Sequence, residues 1–316
     1  MKRRTRLRYL AEYAIFRTLV CVVDAMPVRW MVSVSHWLAF VVHRVVPRKF
    51  TRYRVAHENL RIAFGDQYSD AEIEQLIHRM WVHLFRMVGE MVQLPRKLRL
   101  YNVADVIDFR HRDETVKTLC TGRPCIMLSG HFGNWEVATA TFGVFGFPLG
   151  VVARDLDNPY LHDWFCRFRQ YTGNRLISKK GGGADMVTAL EQRGHLALLC
   201  DQDAGKRGVF VPFFGKDAST FKSIALIALQ YRAYICVGYA SRLPDDFENK
   251  RWVHYELGSE EIIDPLEFEG ADAVQQITQR YTLALERIVR RAPEQYFWVH
   301  RRWKSQPVIR RQKKAA

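Results

Sequence analysis

After Pro124 the chain alternates apolar runs of strand character with segments of helical period, and this alternation constrains the fold more than any other feature. The pattern predicts a strand up to Gly130, a helix from about Asn134, a strand over 149–153, and helices over 160–171 and 184–192. It continues with a strand over 196–200, a helix over 223–231, strands over 234–240 and 252–257, and a helix over 274–290 that ends before Pro293. Strands that alternate with helices predict an α/β fold, with a largely parallel mixed sheet flanked by helices. Ligand sites in such sheets gather at the carboxyl ends of the strands. His131, Arg154 and Asp201 each follow a predicted strand, so one crevice could hold all three.

The first of these strand ends carries the chemistry. Ile126-Met127-Leu128-Ser129-Gly130-His131-Phe132-Gly133-Asn134-Trp135-Glu136 delivers a histidine onto a glycine-flanked turn, with a glutamate in the first turn of the next helix. Residues five apart do not share a helix face. A bend between the two lets the Glu136 carboxylate meet one imidazole nitrogen and leaves the other free to take a proton, as in an oriented general base. On spacing alone an ordinary ion pair is the commoner outcome. Gly130 and Gly133 shift the balance, because they permit unusual backbone angles and close approach of a ligand. The amide N–H groups at the helix start attract anions.

H-F-G-N-W-E resembles the H-x-x-x-x-D/E signature of glycerolipid acyltransferases, in the form found in the late acyltransferases of lipid A biosynthesis. Further segments are similar to that family in order: Val152 to Pro159; Asp201-Gln202-Asp203 with Gly208 to Gly215; Tyr296 to Lys304; and, more weakly, Asn59 to Phe64. The resemblance runs from the fifties to residue 304 and implies a membrane-associated O-acyltransferase. His131 and Glu136 would form its catalytic dyad. The donor would be an acyl thioester on acyl carrier protein, or acyl-CoA, and the acceptor a phosphorylated, sugar-based lipid A precursor. Relatives with the same blocks acylate other glycolipids such as phosphatidylinositol mannosides. The implied location is the cytoplasmic face of the inner membrane.

Acyl transfer to a hydroxyl needs a base, a stabiliser for the oxyanion, and a means of holding both substrates. G-x-S-x-G is absent, and no Ser or Cys with a neighbouring base is apparent, so direct attack by the acceptor hydroxyl is expected. Arg154 would bind an acceptor phosphate or help neutralise the oxyanion; a salt bridge to Asp155 or Asp157 is the alternative. Asp201 and Asp203 lack histidine partners at ligand spacing, so no metal is expected there, and they read as structural or acceptor contacts. No cofactor is implied. Lys206 and Arg207 suit phosphates. In the 296–304 block, Arg301 and Arg302 read as headgroup or donor contacts, with an amphipathic C-terminal strand as the alternative. Lys179-Lys180-Gly181-Gly182-Gly183 fits neither a P-loop nor a dinucleotide fingerprint and reads as a flexible loop before a helix, with phosphate contact as the weaker alternative.

Charge bears on partners. Lys and Arg number 48 against 33 Asp and Glu, a formal net charge of +15. That favours an anionic membrane surface, an acidic protein or an anionic lipid. No recognised nucleic-acid motif is present, so nucleic acid is not expected as a partner. The six cysteines form no C-x-x-C pair and read as buried free thiols of a reducing compartment.

Residues 1–50 form a candidate membrane-associating helical region ahead of an acyltransferase domain over 51–316. Lys2, Arg3, Arg4, Arg6 and Arg8 precede an apolar stretch from Tyr9 to about Val46, which Pro27 divides into two helices. Arg17, Asp24 and Arg29 interrupt it, and the longest stretch without such charges, 30–43, falls short of the ~20 apolar residues that span a bilayer. Shallow insertion, with arginines at lipid phosphates, is expected rather than a span; ordinary core helices are the alternative. A non-catalytic membrane-binding protein and a hydrolase are the competing functions.

Overall fold

The structure is a computed structural model and describes residues 3–307. Lys2 and the basic tail residues Arg310, Arg311, Lys313 and Lys314 lie outside them. In chain order the elements are α1 (Arg3–Ala25), α2 (Val28–Phe40), α3 (Tyr53–Phe64), α4 (Asp70–Lys97), α5 (Val103–Val106), β1 (Ile107–Arg110) and α6 (Arg112–Leu119). There follow β2 (Cys125–Ser129), α7 (Trp135–Val144), β3 (Leu149–Ala153), α8 (Pro159–Gln170), β4 (Arg175–Ser178), α9 (Gly183–Glu191) and β5 (His195–Leu199). The last are β6 (Val209–Phe213), β7 (Lys216–Thr220), α10 (Lys222–Tyr231), β8 (Tyr234–Arg242), β9 (Tyr255–Ile263) and α11 (Ala273–Arg291).

Seven strands make one sheet in the order β1-β9-β8-β2-β5-β3-β4. Its neighbours are parallel except β8 and β9. The expected α/β layer therefore forms. Central β2 shows why it reads as an unbroken apolar run: Ile126 and Leu128 pack into a core with α3, α4, α10 and α11, while Cys125 and Met127 pack on the opposite face with Leu119 and Phe142. A parallel strand covered on both faces must be apolar at every position. Helix α4 starts as its sequence predicts. The Ser69 hydroxyl accepts from the Glu72 N–H, and the Glu72 carboxylate accepts from the Ser69 N–H.

The departures from expectation have local causes. Strand β9 starts at Tyr255, because Trp252 and Val253 are core residues of the preceding loop, with the Trp252 indole donating to Gln93 Oε1. Its carboxylates Glu260 and Glu261 are taken up by Arg280, Arg287 and Arg291 of α11, which lets a polar strand sit there. Four-residue β1 and β4 are too short to show a period. The β6–β7 hairpin turns at Phe214 and Gly215, both with positive φ, and the Phe214 N–H donates to Glu286. The 296–304 block is a series of turns bridged to the turn after β2 at Phe132–Tyr296 rather than a strand. Cys125, Cys200 and Cys236 are buried; Cys21 and Cys120 are exposed and Cys166 is half-buried, contrary to the expectation of buried thiols.

Pro27 divides the N-terminal region as expected. Helix α1 packs on α4 and α8, and α2 on α4. Among the described residues no helix is long and apolar enough to cross a membrane.

Candidate active site

His131 stands two residues beyond the end of β2, separated from it by Gly130. The turn that carries it is fastened from several directions. The Phe297 N–H donates to the His131 carbonyl, the Gly133 N–H to the Gln295 carbonyl, and the Asn134 N–H to the Ala240 carbonyl. Buried His83 reaches the Gly133 carbonyl through Nε2, at 3.1 Å. Of the two flanking glycines only Gly133 has a left-handed backbone, with φ +58. The close approach it permits is to Ala240, whose carbonyl oxygen a Cβ at Gly133 would meet at 1.9 Å.

The carboxylate that meets the imidazole is Asp201. In the β2–β5 ladder Ser129 lies opposite Leu199, and the Cys200 N–H donates to the Ser129 carbonyl, so the register carries His131 and Asp201 to the same level beyond the strand ends. Asp201 Oδ1 lies 2.8 Å from His131 Nδ1, and its Oδ2 accepts from the His131 N–H at 2.7 Å. The carboxylate thereby sets both the tautomer and the rotation of the ring, leaving Nε2 as the proton acceptor. The expected His131–Glu136 contact is not the one formed. Glu136 sits in the first turn of α7, beyond the bend, and points at α8, where Arg169 Nη2 donates to Oε1 at 2.7 Å and Arg169 Nε lies 3.2 Å from both oxygens.

Electrostatics follow from these pairings. Burial disfavours the His131 imidazolium, but the charge and hydrogen bond of Asp201 outweigh it and raise the pKa above 6.5. Asp201 is fully buried; burial opposes its ionisation, and His131 more than compensates, holding the carboxyl well below its usual range. The His300 ring centroid lies 4.6 Å from that of His131. Burial, with repulsion from His131, pushes His300 down to about 4, so it stays neutral whether or not His131 carries a proton.

A cavity of about 850 Å³ opens at His131. Its deep part runs under the sheet face and is lined by Met127, Leu149, Ala197 and Cys236 with Leu119 and Phe142. At the strand ends its wall becomes polar: His131 after β2, Arg154 after β3, Lys179 after β4 and Gln202 after β5, with Glu136 and Arg169 alongside. An apolar bore beneath a base and two cations can hold a hydrocarbon chain with its ester or thioester group at the polar end.

The remaining sequence candidates divide. Arg154 is exposed at the cavity and forms no ion pair among the described residues; Asp155 accepts from the Ser178 hydroxyl instead. Asp203 accepts from the Gly205 N–H and from the N–H and hydroxyl of Ser305. Arg301 is exposed beside it, at a second, smaller cavity. Arg302 is buried and faces the hairpin, donating to the Ser219 carbonyl at 2.5 Å and the Thr220 hydroxyl at 2.6 Å. Lys206 and Arg207 are exposed on the turn Gly205–Arg207 and line neither cavity. Tyr296 and Trp298 are buried beneath the site, with Asn59 Nδ2 donating to the Trp298 and His300 carbonyls at 2.6 and 2.7 Å.

Sequence reasoning missed Arg169 and undervalued Lys179. Arg169 lies in the last turn of α8, a helix of ordinary charged pattern, and carries no signal of its own. Lys179 had one: it follows a short apolar run at a strand end, as His131, Arg154 and Asp201 do.

The family description "bacterial lipid A biosynthesis acyltransferase" matches residues 1–305. The chain is 26% identical over 266 residues to the lipid A biosynthesis lauroyltransferase of Escherichia coli K12, covering 81% of this chain and 80% of that one. It is 26% identical over 283 residues to the palmitoleoyltransferase of the same organism, 86% of each chain. A phosphatidylinositol mannoside acyltransferase of Mycolicibacterium smegmatis is 29% identical over 122 residues, 37% of this chain and 39% of that one. With its strand ends converging on a long apolar cavity and nearly its whole length matched, the chain is an acyltransferase and belongs to the bacterial lipid A biosynthesis acyltransferase family.

Proposed function

We propose that the protein transfers a fatty acyl chain from an acyl thioester to a hydroxyl of a lipid A precursor, with His131 as general base. The observation that carries this is the His131–Asp201 pair at the head of the long apolar cavity. The acyl chain lies in the bore. Nε2 of His131 takes the proton of the acceptor hydroxyl as its oxygen attacks the thioester carbonyl. Arg154 and Lys179 face the negative charge that develops on the carbonyl oxygen. When the C–S bond breaks, the imidazolium returns the proton to the leaving thiolate. Asp201 stabilises the imidazolium between these steps, and Glu136 acts on the same wall through Arg169. Acyl carrier protein is acidic, and the excess of basic residues suits it as the donor.

The acceptor arrives from a membrane. On α2, Trp30, Val34, Trp37 and Phe40 are exposed at helical spacing, opposite the buried Met31, Ser35 and Ala39. Leu7, Ile15, Leu19 and Val22 of α1 are exposed as well, among exposed Arg4, Arg6, Arg8 and Arg29. Such a face lies in the headgroup region, aromatic side down. It is continuous with the site: Asn158, which caps α8 just after Arg154, donates to the Tyr9 carbonyl and to Glu12 of α1. Residues 1–50 then serve as the inner-membrane contact and 51–316 as the catalytic part. Trp30→Glu/Trp37→Glu is expected to cut sedimentation with anionic vesicles about 10-fold or more; unchanged binding would rule out this face.

The test of the activity is to incubate the purified protein with acyl carrier protein thioesters or acyl-CoA and a tetra-acylated lipid A precursor, and to weigh the lipid product. One added acyl chain is the expected result. Free fatty acid at the same rate with and without acceptor would make it a hydrolase. Transfer to phosphatidylinositol mannoside but not to the lipid A precursor would reassign the acceptor.

A further inference from the structure

Beside the reaction centre lies the second cavity, of about 450 Å³, lined by Arg52, Gln202, Asp203, His300, Arg301 and Lys304. Gln202 belongs to both cavities, so one side chain separates them. Three cations face one carboxylate there, and none of the three forms an ion pair among the described residues. The carboxylate of Asp203 is already engaged by Gly205 and Ser305. His300 presents a buried Nε2 with no hydrogen-bond partner.

The frame is rigid. Arg52 holds a left-handed backbone, φ 53, at the start of α3, and its Nη1 reaches the Val299 carbonyl at 3.5 Å. Asn59, two turns further along the same helix, pins the carbonyls on either side of Val299. The start of α3 and residues 298–304 are thus locked together with their charges aimed at one hollow. Unpaired cations on a fixed frame beside an unsatisfied nitrogen suit a phosphate group, whose oxygens accept from guanidinium in bidentate fashion and from an ammonium as a point charge.

We propose that this cavity is a phosphate subsite in which Arg52, Arg301 and Lys304 hold a phosphate group of a substrate whose reacting atoms lie at His131. The proposal rests on the acyl-transfer reading for the substrate's identity, while the subsite itself stands on the cavity. The phosphate belongs either to the sugar of the acceptor or to the phosphopantetheine arm of the donor.

The experiment uses the full-length protein in detergent, wild type beside Arg301→Gln/Lys304→Gln and Arg52→Gln. Initial rates are measured with an acyl carrier protein thioester and with acceptor that is phosphorylated or phosphatase-treated. An acceptor phosphate predicts that the double variant raises KM for the phosphorylated acceptor about 10- to 100-fold, and that the preference over the treated acceptor disappears. A donor phosphate predicts the same rise in donor KM, whichever acceptor is used. Unchanged KM values for both substrates, or a fall in kcat alone, would overturn the subsite. Binding of glucosamine phosphate and of phosphopantetheine is titrated in parallel. Loss of whichever one binds the wild type supports the subsite; equal binding by wild type and double variant, or binding of neither probe to the wild type, overturns it. A wild type that binds phosphate but acylates no glycolipid would refute the activity and leave the subsite standing.

Discussion

Asp201→Asn is expected to lower kcat for acyl transfer about 10²- to 10⁴-fold, within reach of the loss from His131→Ala. The amide has nearly the shape of the carboxylate but cannot stabilise an imidazolium, and it can present an N–H where Nδ1–H needs an acceptor. The pH profile separates this from a general loss of structure. The base must be neutral, so transfer falls as pH drops through the His131 pKa, which Asp201 holds above 6.5. In Asp201→Asn that upward influence is gone while burial still lowers the value, so the acid limb of the residual rate moves to lower pH. Glu136→Gln loosens Arg169 at the cavity wall and leaves that limb where it was. A limb that moves with Glu136→Gln and stays with Asp201→Asn would return the orienting role to Glu136.

Gly133→Ala is expected to destabilise the fold by about 3 kcal/mol or more, read as a lower urea midpoint. A left-handed backbone disfavours any side chain, and here the new Cβ would also collide with the Ala240 carbonyl, which accepts the hydrogen bond from Asn134. Gly181→Ala is the control. Gly181 has φ +88 with nothing within 4 Å of a Cβ, so it isolates the backbone cost from the collision. Equal losses from the two substitutions would show that the Ala240 contact gives way and that the catalytic turn is softer than its hydrogen bonds indicate.

These two positions show where sequence is legible and where it stops. The run Ile126–Ser129, the glycine-flanked His131 and the helix after Asn134 follow from apolar period and turn chemistry, because each depends on neighbours along the chain. The same reasoning put Asp201 directly after a buried strand. It did not give Asp201 to His131, because that pairing is a matter of β5 lying beside β2 with Ser129 opposite Leu199, and strand order across a separation of 70 positions has no local signature. Glu136 was the visible partner because it is near in sequence; the start of α7 turns it towards Arg169. Arg302 looked like its neighbour Arg301, yet a turn at the C-terminal block faces one into the hairpin and the other to the second cavity. Alternation on a strand could have separated them; a run of turns has no such period.

The dependence of the site on Asn59 and the 296–304 block sets an order of events during synthesis. Translation delivers α3 well before the segment around Phe297 and His300, yet the His131 carbonyl, the Gly133 amide and the Arg52 guanidinium all wait on that later segment for their partners. A nascent chain still held by the ribosome can assemble the sheet and its bore while the catalytic turn is unfastened and His131 stands open to water. Competence is therefore conferred only once residues 296–304 have folded back onto α3, and a chain that stops before them would carry the sheet and its bore without a fastened reaction centre.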